Sequence, residues 1–186
     1  MAVAAAAVAA GAAVNTAIQD SRLFGTRCTM IIENHSTFEL VEAKTHLNNG
    51  NLNAGPTSIK PGGRIQFVAV DAKASLTGTA GIVSWKFKRP MEGNIGKGRI
   101  CVMWSIPVNQ IMKSNYLAVG ITDAIAFQDE WFDQMYYNNP TTTFKIQQEK
   151  YTNDIKEINV SKNGISVSGT MGTNADSVVT IIVTDY

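Results

Sequence analysis

The side chains with the widest chemical repertoire are few and scattered in this chain. His35 and His46 stand eleven residues apart, outside the spacing that places two imidazoles on one helical turn, and neither sits in a context resembling a nucleophile with its base. They read as surface or turn histidines. Cys28 and Cys101 are the only cysteines, too few for a zinc site or a disulfide framework. Each lies in an apolar, strand-like run, so two buried thiols and a single bridge both stay open. The run Gly93-Asn94-Ile95-Gly96-Lys97-Gly98 is rich in glycine but lacks the Walker spacing, its terminal Ser or Thr and a following helix, and reads as a hairpin loop. With no Gly-x-Ser-x-Gly elbow and no metal-type aspartate cluster, the sequence nominates no catalytic residue, no metal ligand and no cofactor. The expectation is a protein that is not an enzyme. Asn34-His35-Ser36 and Asn159-Val160-Ser161 fit the glycosylation acceptor pattern, a short motif that also arises by chance.

The elements that would position any site divide the chain in two. Met1 to Gln19 carries no charged side chain and is mostly alanine, with Val3, Val8, Val14 and Ile18 interspersed. Alanine is the strongest helix former, and about nineteen residues of helix would extend roughly 28 Å, close to the hydrocarbon thickness of a bilayer. A cleaved secretory signal would carry an early cation and a leucine-rich core, whereas the first cation here is Arg22 and the first leucine Leu23. From Val14 onward, Val14, Ala17, Ile18 and Ser21 share one helical face and Asn15, Thr16, Gln19 and Asp20 the other, so this half could also dock on a protein surface.

Beyond Gly25 the pattern changes to short β-branched or alternating runs separated by Asn, Gly, Pro and Lys: Cys28–Glu33, Phe38–Leu47, Arg64–Asp71, Gly81–Phe87, Arg99–Ile106, Tyr116–Thr122, Ile155–Val160, Ile165–Met171 and Ser177–Val183. Lys162-Asn163-Gly164 reads as a hairpin turn. Many short strands without long intervening helices predict an antiparallel β-sandwich, interrupted by one short helix over about 128–138, where Phe132 and Tyr136 stand four residues apart. The expected organisation is a single domain of 186 residues, with an N-terminal helix region over 1–24 and a sandwich over 25–186. A net charge of +1 with 17% charged residues argues against a nucleic-acid partner. Lys86, Lys88, Arg89, Lys97 and Arg99 make a local basic group that reads as a solvated hairpin tip.

Three runs, in order, resemble a known family. Thr77-Gly78-Thr79-Ala80-Gly81-Ile82-Val83-Ser84-Trp85, then Met103-Trp104-Ser105-Ile106-Pro107 with Lys113-Ser114-Asn115-Tyr116, and then Trp131-Phe132-Asp133-Gln134-Met135-Tyr136-Tyr137-Asn138 are similar to the central strand, the strand and loop, and the tyrosine-rich helix of actinoporins, the pore-forming cytolysins of sea anemones and their relatives in other animals. With the N-terminal helix ahead of them, the resemblance spans most of the chain.

The resemblance implies a sandwich flanked by two helices, secretion as a soluble monomer, binding to membrane lipids of the sphingomyelin or phosphatidylcholine type, homo-oligomerisation in the target membrane, and insertion of the N-terminal helix to line a cation-permeable pore. Carried over by position, Ser105, Pro107, Tyr136 and Tyr137 match headgroup residues, and Asn49, Ala80, Lys113 and Phe132 stand at matched positions with altered side chains. Met112, Tyr116 and Leu117 would belong to the membrane-interface loop, where sea-anemone members are densely aromatic. Val3, Val8, Val14 and Ile18 would face lipid, and Asn15, Gln19 and Asp20 the pore. Aromatic faces attract a quaternary ammonium and hydroxyls can donate to its phosphate, which gives these residue types a chemical role. The Arg-Gly-Asp motif of many sea-anemone members is missing after Asn139-Pro140. The alternative is a non-lytic lipid- or glycan-binding sandwich of lectin kind.

Overall fold

The β-branched and aromatic runs pair as strands because each can bury at least one face. A computed structural model of the chain describes residues 25–72, 76–88 and 95–186. The expected N-terminal helix, with Val3, Val8, Val14, Asn15, Ile18, Gln19 and Asp20, lies outside the described residues, as does Arg89. The strands are β1 (Arg27–Asn34), β2 (Glu39–Asn49), β3 (Asn51–Leu52), β4 (Arg64–Val70), β5 (Thr79–Lys88), β6 (Ile95–Ile106), β7 (Asn115–Thr122), β8 (Phe144–Tyr151), β9 (Ile158–Lys162), β10 (Ile165–Met171) and β11 (Asp176–Asp185), with a short helix α1 (Trp131–Tyr136) between β7 and β8. They form a six-stranded sheet in the order β3-β4-β1-β11-β10-β9 and a five-stranded sheet in the order β2-β5-β6-β7-β8.

The expected β-sandwich is therefore present, but it is not wholly antiparallel. β1 runs parallel to β11, from Arg27 opposite Asp176 to Asn34 opposite Val183. Parallel neighbours need a long connection, and here nearly the whole sandwich lies between the first strand and the last. The two-residue turn at Asn163-Gly164 does join β9 and β10, with φ of 57° and 79° at its two residues, the left-handed geometry that Asn and Gly accept. β9 begins at Ile158 rather than Ile155, which is exposed. The Tyr151 hydroxyl donates to the Lys156 carbonyl at 2.6 Å and folds the intervening residues into a loop.

Two apolar clusters exist, one on each face of the five-stranded sheet. Between the sheets lie Met30, Ile32, Trp85, Val102, Trp104, Leu117, Val119 and Ile181, all fully buried. On the opposite face, Ile82, Cys101, Met103 and Ala118 meet Trp131, Phe132 and Met135 of α1 together with Phe144. Both faces of β5, β6 and β7 are thus apolar, which explains why these strands read as continuous hydrophobic runs without alternation. A six-residue helix has no independent stability; burying each of its three large side chains contributes about 1.5–3 kcal/mol and holds it. No helix among the described residues is long and apolar enough to cross a membrane.

The basic group at the β5–β6 hairpin is not a uniformly solvated tip. Arg99 is 1% exposed, and its guanidinium donates to Ser84 Oγ at 2.9 Å, the Ser84 carbonyl at 3.2 Å, the Ile125 carbonyl at 3.3 Å and the Glu42 carbonyl at 2.5 Å. Glu42 occupies a bulge in β2 at φ 50°, and its carboxylate pairs with Lys86 at 2.6 Å, an interaction that holds the carboxyl below its ordinary range. Asn34 is also internal: its amide donates to the Phe38 and Ile59 carbonyls and its oxygen accepts from Ser36. That acceptor motif is consumed by the fold, whereas Asn159 is exposed on β9.

Both cysteines are buried free thiols, Cys28 between the sheets and Cys101 beneath α1, so no bridge forms. Burial pushes both thiols far above their ordinary range. We expect the native protein to be inert to an aromatic disulfide reagent at about pH 8, with both thiols reacting once it unfolds. Prompt labelling of the native protein would contradict this packing.

Candidate functional site

One register row crosses the outer face of the five-stranded sheet: Asn49 opposite Ala80, Ala80 opposite Ser105, Ser105 opposite Tyr116, and Tyr116 opposite Lys150. Side chains alternate across a strand, so all five point to the face that carries α1. The neighbouring row, with Ile82, Met103 and Ala118, is covered by the helix. The helix stops short of the Asn49–Lys150 row, and the uncovered strip is the floor of a cleft.

The end of α1 supplies an aromatic wall. Tyr136 stacks on Phe132 with ring centroids 5.9 Å apart and planes 13° apart, meets Tyr137 edge-on at 5.2 Å, and leans on Tyr116 at 5.4 Å. Its backbone carbonyl accepts a 2.5 Å hydrogen bond from Gln148 of β8, which fixes the helix end to the sheet. Burial, and then the nearby Tyr116 and Tyr137 hydroxyls, raise the Tyr136 phenol above its ordinary range, so it remains a hydrogen-bond donor at neutral pH. No hydrogen bond joins Ser105, Tyr116, Tyr136 or Tyr137 side-chain oxygens to another group among the described residues.

The opposite lip is the β6–β7 loop. Asn109 caps it by accepting from the Ile111 and Met112 amides, and Gln110 spans it from the Pro107 carbonyl to Asn115 Oδ1. Asn115 is fully buried, and its amide is shared by the Gly172 and Asn174 carbonyls and Ser177 Oγ, at 2.9–3.0 Å. The loop is thereby anchored to the β10–β11 turn in the other sheet. Gly78, at φ 89°, lets the β5 entry press on the Ile106 carbonyl, where a Cβ would come within 2.1 Å, and so closes the third side.

The resulting cleft has a volume of about 510 Å³ and brings together Asn49, Ser105, Pro107, Met112, Lys113, Tyr116, Phe132, Tyr136 and Tyr137. Two positions named from the sequence lie elsewhere. Ala80 is buried under its neighbours in the row, and Leu117 is not an interface-loop residue: it is fully buried between the sheets, because Tyr116 points outward and the next residue of a strand must point inward. Sequence reasoning missed Leu76 and Ile111, exposed at 88% and 98%; Leu76 lines the cleft with Met112 at 81% and Tyr137 at 67%, and Ile111 precedes Met112 on the loop lip. An Ile-Met pair inside the polar loop Asn109-Gln110-Ile111-Met112-Lys113-Ser114 was the available signal. Among the described residues no group of three or more His, Cys, Asp or Glu side chains could hold a metal ion.

No family model matches the chain. Among curated proteins it is similar to Tereporin-Ca1 of Terebra anilis, 26% identical over 165 residues, covering 84% of this chain and 83% of that one. It is 23% identical over 162 residues to Conoporin-Cn1 of Conus consors, covering 86% of this chain and 63% of that one. Tereporin-Ts1 of Terebra subulata is 32% identical over 117 residues, covering 60% and 53%. The chain thus spans less than two thirds of the length of some of the curated relatives it matches. Among solved structures, the lipid binding protein Nakanori is similar with a TM-score of 0.69 at 13% identity, covering 95% of this chain and 79% of that one, a likeness of fold. These distant relatives point to the actinoporin-like pore-forming superfamily and not to a particular member. Their names are those of porins and a lipid binding protein, consistent with a non-enzymatic protein.

Removing the Asn115 amide takes a donor from the half-buried Gly172 carbonyl, at about 1–3 kcal/mol for an unsatisfied group, while the Asn174 carbonyl keeps the Ser177 hydroxyl as a donor. Asn115→Ala is expected to lower unfolding free energy by about 1–3 kcal/mol in a urea titration, whereas a loss near zero would remove Asn115 as the anchor of the loop.

Proposed function

We propose that the protein is a secreted, membrane-targeting pore former that binds lipid headgroups of the phosphocholine kind in the cleft, assembles into homo-oligomers and inserts its N-terminal segment. The observation that carries this reading is the cleft itself, in which an aromatic wall and unpartnered hydroxyls face each other inside a ring of exposed apolar side chains. Tyr136 and Tyr137 present ring faces of the kind that attract a quaternary ammonium, and Ser105 and Tyr116 offer O–H donors to a phosphate. Phe132 keeps the stack without contributing a hydroxyl. Leu76, Ile111 and Met112 are anchors of interfacial kind, since apolar groups so exposed gain only when a partner phase removes them from water.

The pore step belongs to residues 1–24. Spanning helices satisfy their own backbone hydrogen bonds, and small side chains allow close approach, so several alanine-rich helices inserting together overcome the weak gain of each one. Val3, Val8, Val14 and Ile18 would then face lipid, with Asn15, Gln19 and Asp20 toward the lumen, where a carboxylate favours cations. The superfamily of the relatives supports this assignment, and the protein would be a monomer before it meets the membrane.

Two experiments separate binding from permeation. Tyr137→Ala removes a side chain that is 67% exposed, so folding is expected to survive while partition onto sphingomyelin or phosphatidylcholine vesicles weakens by about 0.5–2 kcal/mol. Deleting residues 1–19 is expected to abolish dye release from those vesicles and to leave their binding intact. Full leakage by the truncated protein would eliminate N-terminal insertion; binding by the parent without any leakage would instead indicate a non-lytic lipid-binding sandwich.

A further inference from the structure

Where lysines of this sandwich meet carboxylates, they pair: Lys86 with Glu42 at 2.6 Å, Lys162 with Asp123 at 2.7 Å and Lys156 with Glu149 at 3.4 Å. Lys113 and Lys150 do not, nor do Lys44 and Lys60, but among the described lysines the first two share the cleft. Both line the cleft and both are exposed, and neither makes an ion pair or a side-chain hydrogen bond among the described residues. Lys150 stands opposite Tyr116 at the β8 end of the register row, and Lys113 follows Ile111 and Met112 on the loop lip. Among the described residues the only carboxylate in the cleft lining is Asp133 on α1, and with Lys113 and Lys150 it gives a net charge of +1.

A zwitterionic headgroup adds no net charge and leaves that cation excess uncompensated, at a surface where approach to the membrane strips water from the lysines. We propose that Lys113 and Lys150 form a second subsite, which takes the headgroup of an anionic phospholipid lying beside the lipid held in the aromatic part of the cleft. The occupant is a lipid and not a free phosphate because the same lip carries Ile111 and Met112, exposed at 98% and 81%. Once those side chains are immersed, the lysine stems lie along apolar surface and their ammonium groups stay at headgroup level. Membrane binding then reads two lipids at once, a choline headgroup and a neighbouring negative charge. This rests on the cleft being the membrane-facing site.

The test compares vesicles of phosphatidylcholine alone with vesicles containing about 30% phosphatidylserine, for the parent, for the Lys113→Gln/Lys150→Gln double variant, and for Lys60→Gln. Lys60 is exposed in the turn that joins Ile59 to β4, near the Leu40–Phe87 end of the sandwich and away from the Ala80 end that holds the cleft. Each lysine engaged with an anionic surface is worth about fivefold in partition. The double variant is therefore expected to lose about 30-fold on the serine-containing vesicles, a loss well above any it shows on phosphatidylcholine alone. The parent's advantage on serine-containing vesicles should largely vanish in about 0.5 M salt, and Lys60→Gln should retain it at low salt. An undiminished response in the double variant overturns the subsite. So does an equal loss from Lys60→Gln, which would indicate net charge alone, or an equal loss on both vesicle types, which would place the lysines on the choline lipid's own phosphate. Tyr137→Ala, measured alongside, reads the aromatic part separately: if it binds phosphatidylcholine vesicles as the parent does, the headgroup reading fails and the second subsite falls with it.

Discussion

Everything in the described part of this protein follows from a five-stranded sheet that is apolar on both faces. The inner face is covered by the second sheet, and the outer face must be covered by something else or remain in water. Ile82, Cys101, Met103 and Ala118 are satisfied by Trp131, Phe132 and Met135 of a helix only six residues long. So short a helix can cover only part of a twisted sheet. The row from Asn49 to Lys150 is left open, and that row is largely polar where the covered rows are apolar. The cleft is thus the remainder of an incomplete covering, and the helix that leaves it open also lends it an aromatic wall.

A few buried polar groups hold the cleft's surroundings in place. Arg99 serves four hydrogen-bond acceptors, which ties the β2 bulge to the chain leading into α1. Asn115 does the same at the other end, joining the loop lip to the opposite sheet. Removing either side chain would take a donor from part-buried carbonyls, and a buried acceptor left unpaired costs more than the net gain of making its bond. Rigid floor, fixed helix end and capped loop together give the cleft a geometry that the fold itself fixes.

Much of this was legible in the sequence because period-two patterning and turn chemistry are local. β1, β4, β7, β10 and the Asn163-Gly164 turn follow directly from residue types, and the short helix was marked by Phe132 and Tyr136. β8 was not legible: Phe144-Lys-Ile-Gln-Gln-Glu-Lys-Tyr151 is an edge strand with a largely polar body, the form that protects an exposed edge from further pairing and hides its β character. The parallel contact of β1 with β11 depends on which distant strands become neighbours, and no local pattern encodes that. Leu117 was misplaced for a simpler reason, since grouping it with Tyr116 ignored the alternation of a strand. Arg99 carried no local sign of burial, because its partners, three carbonyls and the Ser84 hydroxyl, come from three separate segments.

The central claim is that the uncovered strip beside α1 receives a lipid headgroup, and the five tyrosines allow it to be tested without a membrane. Aromatic-ring NMR of the protein, titrated with a soluble short-chain phosphocholine below its micelle concentration, should shift the resonances of Tyr116, Tyr136 and Tyr137 saturably. Tyr151, fully buried between the sheets, and Tyr186, at the end of the chain, should stay unmoved. Absence of any shift at the three cleft tyrosines, or equal shifts at all five, would contradict the account.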